Sequence, residues 1–207
     1  GVVCFTTKSL RKVAMLLHHT SHPCHGYPHR FVIGDWPGQW AQMTSELYPD
    51  RPTALVLNGC CGNVIHRDSL NPHREDTSER MGRLLTETTA EVMKRVRYQD
   101  KVELDYRVRR IRIPYRKLTG SRVAEARKLL DAHPEPMWRD ESKTAVEWPW
   151  WYAVSILDLH EYFKTHDHHD YEIQAFRLGD VAIVALTGVP FLEGQLRIKL
   201  DSPAALT

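Results

Sequence analysis

The chain has 207 residues, 42% of them hydrophobic and 26% charged. That is enough apolar material for one packed domain and too much for a disordered chain. The 28 basic and 26 acidic residues nearly cancel to a net charge of +2, which gives no electrostatic reason for a nucleic-acid partner. No run approaches the ~20 apolar residues of a transmembrane segment, and the opening residues lack the order of a signal peptide.

Along the chain, the apolar run 13–17 (V-A-M-L-L) ends in His18 and His19 and reads as a central strand covered on both faces. Residues 31–33 suggest a short strand. A helix is expected from about Gly38 to Tyr48, with Pro37 near its first turn and Pro49 to Pro52 stopping it. Residues 54–57 (A-L-V-L) form a second buried strand, running into the small-residue turn 58–63. The two strands and their loops share one design, and both loops should emerge on the same sheet edge.

From Glu75 to about Arg97, Met81, Leu84, Leu85, Val92, Met93 and Val96 recur at helical spacing. Residues 102–115 read as an exposed strand whose Arg107, Arg109, Arg110 and Arg112 face solvent. Residues 121–130 read as a helix, and Pro134, Pro136 and Pro149 mark an irregular stretch carrying Trp138, Trp148, Trp150 and Trp151. Those tryptophans either close an edge of the core or line a groove. A helix over 154–163 follows. Two strands, 171–178 and 181–186, meet at Gly179-Asp180 as a hairpin, and a last helix spans about 192–200. The pattern is a single α/β domain over residues 1–207, with a mixed sheet, flanking helices and at least one antiparallel hairpin.

Four cysteines are too few for a disulfide framework at this length. Cys60 and Cys61 are adjacent, and Cys4, Cys24 and Cys60 give no zinc-ribbon spacing. Histidine is the unusual residue: twelve in all, five of them at positions 18, 19, 22, 25 and 29. An imidazole at the carboxyl end of a buried strand is well placed to bind zinc. His18 is best placed, and alternation turns His19 to the opposite face. For each of these histidines a plain hydrogen-bonded loop role stays open. The glycines of the turn 58–63 let backbone N–H groups approach a ligand, as an oxyanion pocket requires. His160-Glu161 fails the H-E-x-x-H pattern because Lys164 holds the last position, and residues 166–170 read as an exposed loop with adventitious metal affinity at most.

Three ordered segments resemble the neutral ceramidase family: L-L-H-H-T-S through V-I-G-D-W-P-G at 16–38, A-L-V-L-N-G-C-C-G-N-V-I-H at 54–66, and L-G-D-V-A-I-V-A-L-T-G-V-P-F-L-E at 178–193. The resemblance implies a zinc-dependent hydrolase of an N-acyl lipid or related amide. His18 would be a zinc ligand, Asp35 and Asn63 would shape the pocket, and Gly62 would admit the substrate carbonyl. It also implies a secreted or periplasmic setting, and an internal portion of the family's domain, with the family's first histidine pair before Gly1 and its tyrosine ligand after Thr207.

Departures accompany the matches. The family's serine falls on Ile65, its following proline on His66, and its glutamate ligand on Val189, while Glu193 matches another position. These substitutions favour the alternative, a catalytically silent binding domain that keeps the fold. With His18 the one matched ligand, little zinc affinity is expected; should zinc bind tightly, His22, His25 and His66 are the first further ligands to test.

Overall fold

The structure is a computed structural model that describes residues 1–27 and 31–207. It divides into two compact units: Gly1–Val108 with Ile173–Thr207, and Arg109–Glu172.

The first unit is built on a three-stranded sheet of β1 (Val2–Thr6), β2 (Lys12–His19) and β3 (Thr53–Asn58), in that order. β1 pairs antiparallel with β2, and β2 pairs parallel with β3. The sheet is therefore mixed. β1 is not among the strands expected from the sequence. It forms because its V-V-C-F-T run lies against β2, with Val3 opposite Leu16. The expected strand at 31–33 is absent: these residues adopt no ladder, and Val32 is fully exposed. β2, the central strand, is already paired on both sides, by β1 and by β3.

Alternation along β2 sends Met15 and Leu17 into the core and Leu16 and His18 to the other face. On the core side lie α1 (Asp35–Glu46) and α2 (Ser78–Met93). Trp36 and Trp40, one helical turn apart on α1, join Met15 and Leu17 as a fully buried cluster. α1 thus begins three residues earlier than the sequence suggested, because Trp36 is needed in the core. A side chain at Gly82 of α2 would meet Gln39 Cβ at 2.5 Å and the Trp40 backbone N at 3.1 Å, so this glycine is what lets the two helices touch. Trp40 Nε1 donates to Thr89 Oγ1 at 3.0 Å across that contact. Thr77 caps α2, its side chain accepting from the Arg80 backbone N–H. The buried face of α2 is Ser78, Gly82, Thr86 and Thr89, while Leu84 and Val92, expected inside, are exposed.

A second three-stranded sheet has the order β4 (Leu104–Pro114), β5 (His168–Leu178), β6 (Val181–Leu186). β5 and β6 form the expected antiparallel hairpin, with Leu178 opposite Val181. Gly179 adopts φ +60°, the left-handed conformation such a turn needs. In the first unit, α5 (Leu192–Asp201) follows β6.

The second unit contains α3 (Gly120–Ala132) and α4 (Trp148–Tyr162). α4 starts six residues before the expected 154, since Pro149 sits in its first turn, where a missing N–H costs nothing. Trp148, Trp150 and Trp151 are therefore helical rather than irregular. Trp150 Nε1 donates to the His133 carbonyl at 2.9 Å, while Trp148 and Trp151 are about half exposed. Arg110 pairs with Glu172 at 2.8 Å and Arg112 with Asp170 at 3.7 Å, all exposed or nearly so, in keeping with a solvated face.

Candidate functional site

The parallel register of β2 and β3 sets His18 opposite Leu57 and His19 opposite Asn58. Both strand-end loops consequently leave on one edge, as expected. They are laced together: Gly59 N donates to the His19 carbonyl at 2.9 Å, Ser21 N to Asn58 Oδ1 at 3.3 Å, and His22 N to the Val64 carbonyl at 3.0 Å.

The turn after β3 is also bound to the segment after β6. Gly62 N donates to the Pro190 carbonyl at 2.9 Å, and a side chain at Gly62 would meet the Val189 carbonyl oxygen at 2.6 Å and the Phe191 ring at 2.7 Å. Asn63 caps the start of α5, its Oδ1 accepting from Leu192 N at 2.9 Å while its Nδ2 donates to both carboxylate oxygens of Glu193 at 3.1 and 3.0 Å. Gln195 Oε1 accepts from Cys60 N at 2.8 Å. The glycines therefore serve close packing of three segments in this structure, and Asn63 and Glu193 hold each other.

His18 turns away from the core. With Leu16, Asn58, Gly59, Ile183 and Lys199 it lines a cavity of about 400 Å³. Burial, reinforced by the Lys199 ammonium, lowers the imidazole pKa from 6.5 to about 4. His19 packs edge-on against Trp36 with ring centroids 5.4 Å apart, on the opposite face.

A denser constellation forms between the β2 loop, the start of α1, the β3 loop and the residue before the α2 cap. His25 Nδ1 lies 2.7 Å from Asp35 Oδ1, and its Nε2 lies 3.3 Å from Asp76 Oδ1. His66 Nε2 lies 3.5 Å from the other Asp76 oxygen, and the two imidazole centroids are 4.0 Å apart. The side chains of His25, Asp35 and His66 are only 6%, 6% and 2% exposed, whereas Asp76 is 36% exposed and also receives Arg67 Nε at 3.1 Å. One ligand atom each from His25, His66 and Asp76 falls within 4.8 Å of the others, a group that could hold a metal ion. Among the described residues, no other group of three such donors forms, so none includes His18 or residues 166–170.

Asp35 is placed by an uncommon backbone. It opens α1 at φ +48°, a left-handed conformation that Asp tolerates better than most residues. Its carboxylate accepts from Trp36 N at 2.7 Å and Gly26 N at 3.2 Å as well as from His25. Burial alone would raise its pKa; these three hydrogen bonds outweigh burial and hold it below the ordinary carboxylate value. His66 is lowered from 6.5, by burial first and then by the neighbouring His25, with Asp76 pulling the other way. Both His66 ring nitrogens are buried without a hydrogen bond, the 3.5 Å approach to Asp76 lacking hydrogen-bonding geometry.

Sequence reasoning had singled out Asp35 for the pocket and had named His25 and His66 as further ligands to test. It missed Asp76, which carries no signal beyond its place ahead of a helix cap. His22 contributes a thiol contact, Nδ1 lying 3.7 Å from Cys61 Sγ. His29 lies outside the described residues. All four cysteines are free, and no described helix is long and apolar enough to cross a membrane.

No family model matches the sequence, and no curated protein matches it. Among solved structures, neutral ceramidase from Pseudomonas aeruginosa is similar over 96% of this chain and 36% of that one, with a TM-score of 0.60 at 13% identity. A structure described as ceramidase complexed with C2 gives a TM-score of 0.59 at 13% identity, over 96% of this chain and 37% of that one. The chain thus has a ceramidase-like fold and spans a little over a third of the length of those structures.

Proposed function

We propose that this chain is the ceramidase-like portion of a metal-dependent amide hydrolase whose substrate is an N-acyl lipid or a related small amide. The observation that supports this reading is the constellation of buried His25, His66 and Asp35 side chains with the partly exposed Asp76, assembled where two strand-end loops meet on a fold similar to ceramidase. A zinc ion bound at such a site supplies a Lewis acid and an activated water. In this reading Asp35 orients an imidazole, Asn63 and Glu193 fix the rim, and Gly62 lies where a substrate carbonyl would approach once the segment after β6 moves. The zinc role that resemblance gives His18 would call on donors besides those around it here: among the described residues no group of three donors includes it, and Lys199 lies nearby.

A second reading is favoured by two positions. Ile65 replaces the hydroxyl and Val189 the carboxylate that the family uses, and the backbone of Val189 and Pro190 fills the open face of Gly62. That describes a binding domain which keeps the fold without the chemistry. Turnover of a fluorogenic N-acyl amide with added zinc separates the two. Zinc-dependent turnover that falls in His66→Ala and Asn63→Ala supports the hydrolase. Absence of turnover in every sample assigns the chain to binding, and turnover unchanged in both variants places the activity elsewhere.

A further inference from the structure

We infer that His25 Nε2, an imidazole nitrogen of His66 and the Asp76 carboxylate form a binding site for a zinc-class divalent transition metal, and that Asp35 is the positioning residue that aims His25 at it. This goes beyond the hydrolase reading and holds whether or not the chain turns over an amide.

A buried polar group without a partner forfeits its solvation, and native proteins satisfy nearly all such groups. His66 breaks this rule at both ring nitrogens, although its side chain is 98% buried. Its nearest polar neighbours are a second imidazole and a carboxylate, the donor types that transition metals take up. A histidine whose task was packing would not need Asp76 and His25 gathered beside it.

The second observation is the orientation of His25. Its Nδ1 is fixed on Asp35, which leaves Nε2 pointing to Asp76. A carboxylate on the far nitrogen of a ligating histidine sets the tautomer and raises ligand basicity. Asp35 is itself pinned by Trp36 N and Gly26 N. Its left-handed backbone is tolerated because that carboxylate is held from three sides.

The donor set also selects the ion. Two imidazoles and one carboxylate suit zinc, cobalt or ferrous iron and leave room for an exchangeable ligand, whereas magnesium and calcium demand oxygen. Asp76 is the partly exposed member, and Arg67 Nε lies 3.1 Å from its carboxylate. It therefore marks the side from which an ion enters.

The test is titration of the metal-stripped full chain with Zn(II) against a chromophoric chelator, together with the visible spectrum of the Co(II) form. Tight binding of a single ion is expected. It should fall by at least about 100-fold in His66→Ala and His66→Gln and in Asp76→Asn, and by about 10–100-fold in Asp35→Asn, while His18→Ala and His169→Ala bind as the parent does. Asp35→Asn should also shift the Co(II) bands with the apo far-UV spectrum unchanged, and Asp35→Glu should restore part of the affinity. A parent chain that takes up no zinc, or one whose stoichiometric site survives His66→Gln but is lost in His18→Ala, overturns the assignment. Mg(II) displacing zinc at equal concentration does the same. The amide assay is read separately, so loss of turnover with intact zinc binding counts against the hydrolase alone.

Discussion

His18 and His25 leave the same strand-end region seven positions apart in sequence, yet their surroundings have opposite electrostatic character. His18 stands in an apolar cavity opposite a lysine and is driven neutral. His25 stands between two carboxylates and against a second imidazole. Strand-end position places an imidazole at a site, but only converging acceptors make it a ligand. Position alone favours His18; surroundings favour His25.

Both regions adjoin the core that holds Met15, Leu17, Trp36 and Trp40. Trp36→Ala removes the largest fully buried side chain, the one that follows Asp35 and packs on His19. A loss of about 3–5 kcal/mol is expected, read by urea denaturation of the first unit's fluorescence. If the loss stays below ~1 kcal/mol, α1 does not anchor the His25 side as described.

Gly62→Ala comes next. Its new methyl would press on two backbone carbonyls and Phe191, and about 1–3 kcal/mol is expected for forcing the turn off the segment after β6. A neutral result would mean that the turn is free to open, which would sharpen the case for substrate access there.

The His18 side can be read by pH. Its folded-state pKa of about 4 is below the unfolded value of 6.5, so the unfolded chain binds more protons between those values and stability rises with pH across the window. The neutral ring's advantage is complete above 6.5 and is lost as pH falls toward 4. After discounting for a ring that is only partly buried, the effect is about 1–2 kcal/mol. His18→Gln should flatten the denaturation midpoint between pH 4 and 6.5 relative to the parent; an unchanged slope would show that the His18 environment is not the one described.

Asn63→Ala should have the smallest effect, about 0.5–1.5 kcal/mol for a lost helix cap and an exposed pairing with Glu193. Thermal melts of Asn63→Ala, Glu193→Ala and the double variant would measure the coupling, and additive losses would show that the two side chains do not act together.

Residue patterns already determined much of this protein. Apolar runs ending in polar loops marked β2 and β3, helical spacing marked α2, and Gly-Asp between two β-prone runs marked the β5–β6 hairpin, because periodicity and turn chemistry are local properties of the chain. The motif at 16–38 likewise drew attention to Asp35. What only the tertiary structure decided was who meets whom. Leu84 and Val92 lie on the helix yet outside the core, residues 31–33 have β character yet join no strand ladder, and β1 is a strand because β2 lies beside it. Asp76 sits ten residues past His66 and 51 past His25, a spacing that matches no linear motif. These three groups come together because a parallel strand pair brings its two loops to one edge, Trp36 and Trp40 seat α1 in the core, and the Gly82 and Thr89 contacts hold α2 against α1, and that convergence is a long-range consequence of packing with no local signature.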